Sequence, residues 1–337
     1  MTDTGLVLTM LTGRSYQRRH LLPKVFPSLQ VCVVSLLALA GTVLMVACGS
    51  TGNGDSGGSD CSADSDCRTQ DFKLTASDAV AGDGFGESVA VSGDVIVVGA
   101  RRDDNNGNSE SGSAYVFRLD GTNLIEERNL TPDDSAEGDF FGDSVAVSGD
   151  VIVVGASLDD NPSLNSGSAY VFRFDGAEWI EEQKLTPSDS CDDKGDCRAS
   201  VDDRFGHSVA VSGDVIVAGA IFDRAESGSA YVFRFNGTEW IEDQKLVASD
   251  AAGGDEFGRS VAVSGDVIVV GANRDDDPGV TSGTAYAFRF DGTEWIEEQK
   301  FTASDAAEKD QFGVSVSVLG DVIAIGAFSN DEAAPNS

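Results

Sequence analysis

A Phe-Gly pair recurs five times in this chain, at Phe85-Gly86, Phe141-Gly142, Phe205-Gly206, Phe257-Gly258 and Phe312-Gly313. Each is followed at a constant distance by Gly-Ala, at Gly99-Ala100, Gly155-Ala156, Gly219-Ala220, Gly271-Ala272 and Gly326-Ala327. Successive copies lie 56, 64, 52 and 55 residues apart. A repeat of this length must be one supersecondary unit that buries its apolar surface against its neighbours.

The text inside a unit predicts four short strands. In the first copy Val89 and Val91 alternate with small residues, Ser92-Gly93-Asp94 makes a tight turn, and Val95–Val98 follows as an apolar run. The second copy shows the rest: Ala169–Phe174 as a third strand, Asp175-Gly176 as a hairpin turn, and Trp179–Leu185 as a fourth. The charges alternating along that fourth strand suit an outer edge, where they discourage pairing with other chains. No stretch of the body has helical period. Glycine, at 39 of 337 residues, fits the many turns this requires. Four strands per unit, at a period of roughly 50 residues, predict an all-β propeller.

The Phe-Gly and Gly-Ala framing resembles the FG-GAP repeat, the blade of the integrin alpha-chain N-terminal propeller and of many bacterial surface proteins. The resemblance covers about 71–327 and implies about five four-stranded blades, with Phe packed between blades. It also implies a calcium loop between the first two strands, and there this chain departs. The five equivalent turns are Ser92-Gly93-Asp94, Ser148-Gly149-Asp150, Ser212-Gly213-Asp214, Ser264-Gly265-Asp266 and Leu319-Gly320-Asp321. Two or three residues cannot wrap the 6–8 oxygens that calcium takes, so no cofactor is expected at the family position. Weak calcium binding elsewhere is left open. The fifth unit ends after its second strand, while Phe72–Asp78 matches a fourth strand (compare Lys300–Asp305). Either that N-terminal strand closes a five-bladed ring, or the chain is part of a larger propeller. Closure is favoured, because an open arc leaves apolar faces in water.

Residues 1–47 are expected to be a signal peptide: basic groups lie between Arg14 and Lys24, and Val31–Val46 is uncharged and apolar. Sixteen residues is short for a membrane span, which takes about 20. The ending Leu44-Met45-Val46-Ala47-Cys48 resembles a bacterial lipobox, which implies lipidation of Cys48. Met45 departs from the commonest residue there, and the alternative is a plain signal cut near Ala47. Residues 48–70 are Gly/Ser/Asp-rich and make a tether. Cys61 and Cys67 share a spacing with Cys191 and Cys197, and two local disulfides are expected in an oxidising compartment. Zinc is the alternative, disfavoured because no histidine accompanies either pair.

The formal net charge is −34, and residues 1–47 carry only one of the 57 acidic groups. Such a body is repelled by polyphosphate and anionic membranes, so no nucleic acid is expected and the membrane is met through the lipid alone. Strand direction places the long acidic connections, those after second and fourth strands, on one face of the array. The expected binding face there is formed by Asp103, Asp104, Asp159, Asp160, Asp275, Asp276 and Asp277; solvated acidic turns are the plainer reading. Catalysis finds little support. His207 occupies a slot that holds Glu87, Asp143, Arg259 and Val314 in other units, so it reads as an exposed strand position rather than a base. The expectation is a non-enzymatic binding or adhesion module. It would be exported to the outer membrane or cell surface, with an unknown protein or glycan of the envelope as partner. A purely structural envelope protein is the first alternative, and a metal-dependent hydrolase the more remote one.

Overall fold

The structure, a computed structural model, describes residues 6–10, 73–190 and 201–328, apart from Asn106, Thr122 and Pro278. Cys48, Cys61, Cys67, Cys191 and Cys197 lie outside the described residues, as do the tether and nearly all of the expected signal segment. Contacts divide the chain into one unit of residues 1–11 with 76–337 and another of residues 12–75. The second is described only at residues 73–75, which carry no regular structure. Among the described residues no helix is long and apolar enough to cross a membrane.

The first unit begins with β1 (Leu6–Met10) and then builds four sheets of four antiparallel strands, each running β-strand to β-strand in chain order. They are β2 to β5 (Ser88–Ser92, Val95–Ala100, Ser113–Asp120, Asn123–Leu130) and β6 to β9 (Phe141–Ser148, Val151–Ala156, Ser168–Phe174, Trp179–Leu185). Next come β10, β11, β12 and β13 (Phe205–Ser212, Val215–Ala220, Ser229–Phe235, Trp240–Leu246), with one helical turn at Asp223–Glu226 after β11. The fourth sheet is β14 to β17 (Phe257–Ser264, Val267–Ala272, Thr284–Phe290, Trp295–Phe301). The last holds β18 (Phe312–Leu319) and β19 (Val322–Ala327), with β1 paired antiparallel to β19. If the signal segment is removed, β1 leaves with it and a two-stranded sheet remains. The expected closing strand is corrected: Lys73–Asp78 contains no strand and takes no place in the last sheet.

The core lies between sheets. Four clusters each join one face of a sheet to the opposite face of the next; in the first, Val95, Val97, Ala114, Val116 and Leu130 meet Phe141, Val145, Ile152, Tyr170, Phe172 and Trp179. The aliphatic runs of the second strands serve both faces at once, which explains why Val95–Ala100 reads as apolar throughout and is wholly buried. Phe141 is fully buried and meets Tyr170 and Phe172 edge-on at 5.5 and 6.0 Å. Phe205 and Phe257 repeat the arrangement.

Backbone meets backbone at the same seam. Phe141 donates its N–H to Ser111 O at 2.9 Å, Phe205 to Ser166 O at 2.8 Å, Phe257 to Ser227 O at 3.0 Å and Phe312 to Ser282 O at 2.9 Å. Ser144 Oγ reaches across to Gly206 O at 2.7 Å, and Ser208 and Ser260 make the same bond onward. At the other end, each tight-turn serine accepts the N–H of the next turn's glycine, as Ser92 Oγ does from Gly149. The approach leaves no room for a side chain: a Cβ on Gly155 would overlap Gly206 O.

Gly155→Ala is therefore expected to lower stability by about 3 kcal/mol or more, as overpacking against backbone does. Gly149→Ala, in an open turn at φ +61°, is expected to cost only about 1–2 kcal/mol. Chemical denaturation of the two variants checks the difference, and equal costs would contradict the tight seam.

Candidate functional site

The connections after second strands and after fourth strands converge on one end of the sheets, and a recurring cluster of side chains fixes their bases. In the second sheet Tyr170, buried on β8, donates its hydroxyl toward Asp134 Oδ1 at 2.9 Å and Asp159 Oδ2 at 2.6 Å. Asp134 belongs to the connector from the preceding sheet and Asp159 to the loop after β7. Lys184, from β9, places Nζ 2.6 Å from both carboxylates and 5.0 Å from the centre of the Tyr170 ring. The third sheet repeats this with Tyr231, Asp189, Asp223 and Lys245, and the fourth with Tyr286, Asp250, Asp275 and Lys300.

Each cluster ties three separated segments to one buried phenol. Its electrostatics follow. Burial and the flanking carboxylates push the tyrosine hydroxyls far above their ordinary range. Burial opposes charge on Asp134, Asp189 and Asp250, but the lysine bonds outweigh it and hold them below the usual carboxylate value. Burial likewise opposes charge on Lys184, and its two aspartates carry it above the ordinary lysine value.

A further aspartate sits beside each cluster, two residues before the Phe of Phe-Gly. Burial raises Asp139 to about 6 although the Ala136 N–H bonds it, and Asp159 adds repulsion. Burial raises Asp203 to about 7, with Asp223 adding to it and Lys245 opposing.

The structure sorts the seven expected face residues into two sets. Asp103, Asp159 and Asp275 are buried, at 8%, 5% and 5% exposure, and face the tyrosines. Asp104, Asp160, Asp276 and Asp277 are exposed. The first three of these cap their own loops, accepting N–H groups from Glu110, Asn165 and Thr281 at 2.7–2.9 Å. Asp277 lies 3.3 Å from Lys300 Nζ. Sequence reasoning missed the connector aspartates, the lysines, the tyrosines and Asp223. Their signal was the Ser-Asp or Asp-Asp that follows each outer strand, together with the Tyr fixed within each third strand. Among the described residues no group of three or more His, Cys, Asp or Glu has the arrangement to hold a metal ion.

The His207 slot differs from expectation. His207 keeps 19% of its side chain exposed and lies between first strands of neighbouring sheets, with Nε2 2.9 Å from Arg259 Nη1 and Nδ1 3.7 Å from Asp143. Asp143 in turn pairs with Arg101 at 3.0 Å, and Arg101 with Glu87. Asp143, His207 and Arg259 of this slot are thus successive partners along the array, with Glu87 joined to them through Arg101. Burial and Arg259 push His207 down to about 4, against Asp143.

A family model described as FG-GAP repeat matches the chain five times, at residues 69–117, 125–172, 179–233, 240–288 and 295–337. No curated protein matches it. The three internal matches start on the outer strand of one sheet and end on the third strand of the next, so each frames a connector aspartate, a loop aspartate and the tyrosine that joins them.

Asp203 supplies a pH test. A carboxyl raised in the folded state favours folding while it keeps its proton, and that contribution is lost as pH rises from the unfolded value near 4 through about 7. Asp203→Asn removes this term. The stability of the variant relative to the parent is expected to rise by up to about 2 kcal/mol between pH 5 and pH 8; equilibrium denaturation at the two pH values checks it, and a constant difference would contradict the buried, proton-holding state.

Proposed function

Since the chain belongs to the FG-GAP repeat family across residues 69–337, we propose that it is a non-enzymatic extracytoplasmic binding or adhesion module, anchored by lipid on Cys48. The partner is a protein or glycan of the cell envelope, met at the loop end of the propeller. The observation that carries this reading is the contrast between the two ends of the sheets. One end has minimal turns tied to one another. The other presents exposed Asp104, Asp160, Asp276 and Asp277 on longer loops whose bases are fixed by buried Tyr and Asp, joined by a half-buried Lys beneath Asp160 and beneath Asp276 and Asp277. Variable loops on a rigid base lose little freedom on binding, which favours affinity. Export rests on the sequence: the apolar run, the lipobox-like Cys48 and the paired cysteines.

A structural role without a ligand has one observation in its favour, since three of these exposed aspartates already accept backbone N–H groups of their own loops. Changing all four to asparagine separates the readings. Asparagine keeps an acceptor oxygen for the loop and removes the charge. The immobilised variant is expected to lose at least about tenfold of the parent's retention of envelope protein or glycan, a loss of about 1.4 kcal/mol, with its melting temperature little changed. Retention of nothing by the parent, or of the same material by both, would favour the structural role.

A further inference from the structure

The first sheet carries the same pair of carboxylates without the lysine. Tyr115 donates its hydroxyl toward Asp78 Oδ1 and Asp103 Oδ2, both at 2.8 Å, as its three counterparts do toward theirs. Asn129 stands on β5 where Lys184, Lys245 and Lys300 stand on the later outer strands. The donors that reach this pair are neutral. Ser113 Oγ donates to Asp103 at 2.6 Å, Asn105 Nδ2 to Asp103 at 3.3 Å, and Asn129 Nδ2 to Asp78 at a long 3.5 Å. The amide oxygen of Asn129 is buried and has no hydrogen-bond partner among the described residues.

Three copies of the arrangement in the same chain show what these two carboxylates hold. In each, an ammonium nitrogen sits 2.5–3.2 Å from both aspartates of the pair. Asparagine is shorter than lysine by two heavy atoms along the side chain, a carbon and the ammonium nitrogen. We infer that the Asp78–Asp103 pair of the first sheet is a binding site for a small primary ammonium ion, held by Asp78 Oδ2 and Asp103 Oδ2 as the lysine nitrogens are held in the other sheets. The inference is independent of the loop-end reading above, because it concerns the base of the loops rather than their exposed aspartates. The surrounding field agrees with it. Burial raises the Asp83 carboxyl, and Asp103, Asp104 and Asp78 add repulsion, whereas Lys184 and Lys245 draw Asp139 and Asp203 back.

The test is thermal unfolding of the full chain in methylammonium chloride against tetramethylammonium chloride at equal concentration and ionic strength. Methylammonium supplies the missing carbon and nitrogen; tetramethylammonium has no N–H to donate. The chain is expected to melt about 2–4 °C higher in methylammonium at a concentration several times the dissociation constant. Asn129→Lys brings its own ammonium, as the other sheets do, and is expected to melt higher than the parent with no difference between the two salts. Asp78→Asn is expected to abolish the difference as well, which keeps the test informative should Asn129→Lys fold poorly. Equal melting of the parent in both salts would overturn the inference and mean that the neutral donors suffice. A difference that persists in Asp78→Asn, or a response to calcium alone, would also overturn it.

Discussion

Consecutive sheets of this protein are fastened backbone to backbone at the Phe-Gly seam, and most of the architecture depends on that approach. Phe141 donates to Ser111 O while its ring fills the space beneath, and Gly155 lies so close to Gly206 O that no Cβ fits between them. Only glycine permits both the contact and the positive φ, which is +82° at Gly206. The repeated text of the sequence is largely the text of this seam. Residues that merely alternate along a strand are free to change, whereas the Phe-Gly and Gly-Ala pairs are held by geometry.

The seam also fixes the loops. Each loop after a second strand ends in the serine whose carbonyl receives the next sheet's Phe N–H, and it closes on itself through bonds such as Gly167 N–H to Asp159 O at 2.9 Å. The buried tyrosine then gathers the loop aspartate and the connector aspartate, and in three sheets a lysine bridges them. In a chain with 57 acidic residues this is how carboxylates are brought inside with hydrogen-bond partners and, in three sheets, with one ammonium shared by each pair. Blade docking and loop positioning use adjoining backbone bonds, so the loop bases are expected to open only together with the seams.

Much of this was legible in the sequence. The strand boundaries followed from alternation and from the Ser-Gly-Asp and Asp-Gly turns, because those signals are local. The clusters were not, since Asp134, Tyr170 and Lys184 are 36 and 50 residues from one another and belong to two successive units. An Asp-Asp pair looks like solvated surface, yet its two members point opposite ways: Asp159 inward to Tyr170, Asp160 outward as a cap. The resemblance of Phe72–Asp78 to an outer strand misled for a related reason. What that segment shares is the connector, where Ser77 donates to Glu126 and Asp78 receives Tyr115, just as Ser188 and Asp189 do with Glu242 and Tyr231. The variety in the His207 slot suggested free surface, whereas Asp143, His207 and Arg259 meet one another from successive sheets.

The central claim is that the loop end is held as firmly as the sheets, and amide hydrogen exchange measures that directly. The amides of Gly112, Gly167, Gly228 and Gly283 donate into their loop bases at 2.9–3.0 Å, and those of Phe141, Phe205, Phe257 and Phe312 cross the seams. On this account both sets exchange together with the core strands, only through large-scale opening, and share one free energy of protection. Exchange of the four glycine amides near the open-chain rate, with the seam amides still protected, would show loops that move independently of the blades and would contradict it.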